Sequence, residues 1–137
     1  MSTKINMPPY FSDKIGISDI VPLSDNEWRL FGYCLLILEK QMRKENISIE
    51  DIPPVQVIFS KDMCFEYKCS MSSVNGAYMN IIVYHMDNLR VTMTNNEFGM
   101  IEVFLHEFCH FVWRIVDENK TIIKVRECLN TFGMHFE

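Results

Sequence analysis

The 137-residue chain is long enough for one hydrophobic core and too short for two, so it is read as a single domain over 1–137. With 48% apolar and 23% charged residues and only five Gly and five Pro, its composition excludes disordered, collagenous and low-complexity classes. A net charge of -5, with basic residues scattered apart from runs at 39–44 and 120–126, argues against a nucleic-acid partner, and no stretch approaches the roughly 18 uninterrupted apolar residues of a membrane span.

Residues 1–23 contain MPPY and VPLS without sustained periodicity, and are expected to form an extended arm packed over the body. The opening 14 residues carry no apolar secretory core, and five cysteines at irregular spacing suit a reducing compartment, so a cytoplasmic protein is expected. SDNE (24–27) has the capping-box form that starts a helix. In that helix Trp28, Phe31, Leu35, Leu38 and Met42 recur at steps of three and four, giving one apolar stripe up to about Lys44.

IPPVQVIFS (52–60) supplies a stop and then a strand with Val55, Val57 and Phe59 on one side. CFEYKCSM (64–71) and AYMNIIVYHM (77–86) read as two further strands, with Asn75-Gly76 as a hairpin signal between them. TNNE (94–97) is a second capping-box pattern before a helix whose stripe is Ile101, Phe104, Leu105, Phe108, Phe111, Val112 and Ile115. DENKT (117–121) interrupts the pattern, and a last helix runs through Ile122, Val125, Leu129 and Phe132 to about Gly133. The expected fold is a small α+β domain: an N-terminal helix, a three-stranded sheet and two further helices.

Within the third of these segments, VFLHEFCHFVW (103–113) places His106 and His110 four residues apart, with Glu107 directly after the first. Residues four apart share one helix face, so both imidazoles can direct a ring nitrogen at one point, as two ligands at about 2.0–2.1 Å from zinc require. Glu107 lies about 100° further round, better placed to reach a water on the metal than to join the pair as a ligand. In this H-E-x-x-H pattern the histidines hold zinc, the metal lowers the pKa of its water, and the glutamate takes the proton. Val103, His106, His110 and Trp113 flank the apolar stripe, which sets the imidazoles at a cleft edge. The competing reading is a helix that carries two ordinary histidines.

On HEFCH, and more loosely on the order of elements over 24–133, the sequence resembles the zincin metallopeptidases. Their fold pairs a small sheet with a helix bearing H-E-x-x-H, and a later segment adds the third ligand. The metzincin continuation is absent, since Trp113 and Val116 stand where its glycine and last histidine would be. The gluzincin branch takes a glutamate from the following helix, and that resemblance implies Glu127, with Glu118 and His135 as competitors. Glu118 stands too near the turn to be expected to fold back. HEFCH is also similar to the SprT-like peptidases, and ECLNTFG (127–133) to the ImmA/IrrE-type metallopeptidases, whose pattern is here compressed with Leu129 in place of a small residue. Compact gluzincins are the nearest architectural match.

What the resemblance implies is a zinc-dependent peptidase acting on a peptide or protein substrate, with zinc on His106, His110 and Glu127, and Glu107 as general base. Such enzymes pair the substrate along an edge strand, for which NIIVYH (80–85) is the candidate. One of Tyr84 and His85 could then stabilise an oxyanion, against the plainer reading of Tyr84 as core and His85 as surface. Cys109 and Cys128 are read as packing, like the pair Cys64 and Cys69, whose spacing in a strand points them to opposite faces. The alternative function is a zincin-like binding module whose zinc is structural or absent.

Overall fold

A computed structural model of the chain describes residues 7–61, 69–74 and 77–134. Cys64, the Asn75-Gly76 pair and His135 lie outside the described residues, and with them the start of the expected strand at 64–71. The capping box at 24–27 forms in both halves. Ser24 Oγ accepts from the Glu27 amide at 3.1 Å, and the Ser24 amide donates to Glu27 Oε1 at 2.9 Å. This starts helix α1, Asp25–Lys44, whose stripe of Trp28, Phe31, Leu35, Leu38 and Met42 is buried as the periodicity requires.

The expected α+β class is borne out, with a larger sheet than anticipated. Among the described residues it has four strands, β1 (Ile15–Asp19), β2 (Val55–Ser60), β3 (Cys69–Val74) and β4 (Ala77–His85), in the order β1-β2-β4-β3. The first three positions are parallel, with Ile17 opposite Val57 and Val57 opposite Ile82, whereas β3 is antiparallel to β4 and pairs Val74 with Ala77. The segment expected to be only an arm therefore contributes an edge strand. Its partner lies about forty residues away in sequence (Ile15 opposite Val55), so no local pattern announces the pairing. Consequently Asn80, Ile81 and Ile82 of NIIVYH do not lie at an edge, since each pairs with both β2 and β3. Strand β4 has β2 on one side and β3 on the other.

Helix α2, Met86–Thr92, follows β4 directly and has no counterpart in the sequence reading, because its seven residues make about two turns, too few to display a helical period. Helix α3, Glu97–Trp113, is capped by Asn96 rather than by Thr94. The Asn96 side chain accepts from the Gly99 amide at 2.9 Å, while the Thr94 hydroxyl donates back to the Arg90 and Val91 carbonyls. Helix α4, Glu118–Phe132, starts inside DENKT, since Asp117 caps it by accepting from the Lys120 amide. None of these helices is long and apolar enough to cross a membrane.

One aromatic side chain ties the layers together. Phe31, fully buried on α1, lies edge-on to Phe59 of β2 at 5.3 Å and to Phe104 of α3 at 5.4 Å, and also meets Tyr84 of β4 and Phe108 of α3. Val55, Val57 and Phe59 face this core as expected. On the far side of α1, Cys109 of α3 meets Cys128 of α4, and Trp113 of α3 meets Lys124 of α4.

Candidate metal centre

Helix α3 is buried through Met100, Ile101, Phe104, Leu105, Phe108 and Phe111. At 100° per residue, His106 and His110 fall on the opposite side of the helix, partly exposed. Their ring centroids are 4.8 Å apart and their Nε2 atoms 3.2 Å apart. The His106 and His110 Nε2 atoms each lie 2.9 Å from a different carboxylate oxygen of Glu118. Two donors at about 2.0–2.1 Å from a tetrahedral ion stand about 3.3 Å apart, so the group could hold a metal ion, while its 2.9 Å contacts are also those of hydrogen-bonded ion pairs. All three ligand atoms lie within 4.8 Å of one another.

The link between α3 and α4 orients His110. Arg114 takes the left-handed conformation (φ 54°) and ends α3, which turns the Ile115 carbonyl back to accept from His110 Nδ1–H. Thr121, buried at the start of α4, places its hydroxyl oxygen 3.3 Å from the same nitrogen while donating to the Asp117 carbonyl at 2.8 Å. With Nδ1 held by the Ile115 carbonyl, the ring is fixed so that Nε2 is the atom that faces His106 and Glu118. Partial burial raises the Glu118 pKa, but hydrogen bonding and charge from His106 and His110 outweigh it and leave the carboxyl below its ordinary range.

Glu127, the glutamate expected as third ligand, is not brought to the histidines. Its Oε1 accepts from Lys124 at 2.6 Å, on an exposed side of α4. The reason is helix phase. The buried face of α4 is Thr121, Val125, Cys128 and Leu129, not the stripe Ile122, Val125 and Leu129, and Ile122 and Ile123 are exposed. Glu127 precedes Cys128 by one residue and so turns about 100° away from that face. Glu118 meets the histidines because α4 begins at 118, with only four residues between it and the end of α3. The signal that would have found it is Asp117 as an N-cap in DENKT.

Glu107 is buried, on the flank of α3 between the histidine face and the core. Tyr84 is core, as the plainer reading had it. Its hydroxyl donates to the Phe104 carbonyl at 2.6 Å and its ring stacks on Phe59. His85, expected at the surface, is buried where β4 runs into α2. Cys34, Cys109 and Cys128 are free, fully buried thiols. The Cys109 thiol is pushed well up by its hydrogen bond with Cys128 and by burial, so it is held neutral and serves as packing.

No protein-family model matches the chain, and no curated protein aligns with it significantly.

Proposed function

We propose that the chain is a zinc-dependent peptidase of zincin type, in which His106, His110 and Glu118 hold the metal and Glu107 is the general base. The observation that carries this reading is the convergence of two imidazole Nε2 atoms and one carboxylate within 4.8 Å, on a helix where a glutamate follows the first histidine. Among the described residues the group offers three donors, the number found in catalytic zinc sites rather than the four of closed structural ones. That count favours the enzyme over the binding module.

Zinc held there would polarise the scissile carbonyl and lower the pKa of a water at its open position. The Glu107 carboxylate would accept the proton of the attacking water and pass it to the leaving amine nitrogen. Ile115 and Thr121 would keep the His110 ring from turning as charge moves through the site. The substrate is a peptide or protein, and we place the enzyme in the cytoplasm, a reading supported by its free, buried thiols.

Zinc content after dialysis, measured by mass spectrometry, tests the ligand set. One zinc per chain is expected in the wild type and in Glu127→Ala, with loss in His110→Ala and at least about tenfold weaker binding in Glu118→Ala. Glu107→Gln should keep zinc and lose about 10²–10⁴-fold in cleavage of a peptide library. A Glu107→Gln protein cutting at the wild-type rate would remove the assigned base, and a zinc-free wild type would remove the metal centre.

A further inference from the structure

Glu118 is an unusual place to hang a ligand. Its side chain is 69% exposed on the first residue of α4, so its own packing does little to hold it against α3. What fixes α4 along α3 lies two turns further on. Glu118, Thr121 and Lys124 step along α4 at intervals of three, and they meet in turn the two histidines, His110 again, and Trp113, the last residue of α3.

Lys124 is the firmest of these contacts. Its side chain is only 15% exposed, and its ammonium lies 4.7 Å from the centre of the Trp113 ring. The same Nζ donates to Glu45 Oε2 at 2.8 Å, at the C-terminal cap of α1, and to Glu127 Oε1 at 2.6 Å. The other Glu45 oxygen accepts from Trp113 Nε1 at 2.9 Å, and Gln41 of α1 donates to Glu45 Oε2 at 2.6 Å. Burial raises the Glu45 pKa, yet donation from Gln41, Lys124 and Trp113 more than compensates, so the carboxylate stays charged. Three helices thus close on one carboxylate and one ammonium; withdrawing Lys124 leaves the partly desolvated Glu45 carboxylate without its countercharge, and withdrawing Glu45 leaves Lys124 only the more exposed Glu127.

We propose that Lys124, clamped between Glu45 and Trp113, is a positioning residue for the metal centre: it sets the register of α4 on α3 so that Glu118 falls on His106 and His110. The proposal rests on the zinc reading above. It assigns Glu127 a structural role beside the clamp rather than a place on the metal.

The test is zinc affinity of the full chain, by competition with a chromogenic chelator, together with the visible absorption of the cobalt(II)-loaded protein, which reports coordination number. Lys124→Met keeps the aliphatic stem over Trp113 and removes the charge, and should weaken zinc about tenfold and shift the cobalt spectrum away from the four-coordinate form. Lys124→Arg should restore both, because a guanidinium can bridge the same partners. Should Lys124→Met fail to fold, Glu45→Gln, which retains the shape and the Trp113 hydrogen bond, carries the same expectation. Unchanged affinity and cobalt spectrum in a folded Lys124→Met or Glu45→Gln would overturn the proposal, as would weakening that Lys124→Arg does not rescue. A wild type that binds neither metal would instead defeat the zinc reading itself, a result told apart from the others by the unmutated chain alone.

Discussion

Glu27 shows how one residue can serve two contacts in this fold. Its Oε1 accepts from the Ser24 amide to close the capping box, and both carboxylate oxygens accept from Arg90 on α2, at 2.7 and 2.8 Å. Burial raises its pKa, but hydrogen bonds from Arg90 and Ser24 outweigh that and bring it below the ordinary value. A depressed folded-state pKa contributes stability above the unfolded value of about 4.3, and that contribution is lost as pH falls through the folded value. Arg90→Ala should therefore cost about 1–2 kcal/mol at pH 7, between the exposed and fully buried cases, as measured by urea unfolding. The gap to wild type should narrow as pH drops below about 4; a gap that stayed constant down to pH 3 would mean the charge is not what matters. At this scale the histidine pair and its glutamate were legible in the sequence, because i, i+4 spacing is a local property of any helix. Glu118 was not, because its meeting with the histidines depends on where α4 begins and how it folds back.

Among elements, the helices with strong caps and long stripes are those the sequence announced best. Helix α4 also ends cleanly. Gly133 takes φ 99°, its amide donates to Asn130 and Leu129, and the Met134 amide donates to Leu129 at 2.8 Å. A Cβ on Gly133 would meet nothing within 4 Å, so Gly133→Ala isolates the backbone cost of the left-handed turn. We expect a loss of about 1 kcal/mol, or about 3–5 °C in thermal midpoint for a chain of this size. No change would show that the turn relaxes without penalty. The elements that escaped sequence reading are of two kinds. Strand β1 pairs only with a distant partner, and α2 is a short helix joined to a strand with no side-chain cap at His85.

For the molecule as a whole, the aromatic cluster around Phe31 is where sheet, α1 and α3 become one cooperative unit. Phe31→Ala should cost about 3–5 kcal/mol, a large part of the 5–15 kcal/mol typical of a domain's stability. The urea midpoint should fall with the slope unchanged, and α3 and the sheet should unfold together by both near- and far-ultraviolet circular dichroism. Separate transitions at the two wavelengths would mean that the layers are not coupled through this ring. Because α3 is held by that cluster on one face and carries the histidines on the other, the histidine pair takes its rigidity from the core, while Glu118 arrives from a helix fastened elsewhere.

The sequence by itself determined the α+β class, the long capped helix α1, the buried face of β2, and the two histidines with their intervening glutamate on one helix. Each follows from a period of two or 3.6 residues and from side chains that cap their own helix, interactions that reach no further than a few residues. Only the tertiary structure decided that the N-terminal segment is an edge strand, that Asn80, Ile81 and Ile82 are central in the sheet, and that Glu118 rather than Glu127 stands with the histidines. Those outcomes rest on strand order and on the rotation of α4 about its axis, which are set by the packing of residues far apart in the chain, Lys124 against Glu45 and Trp113 among them.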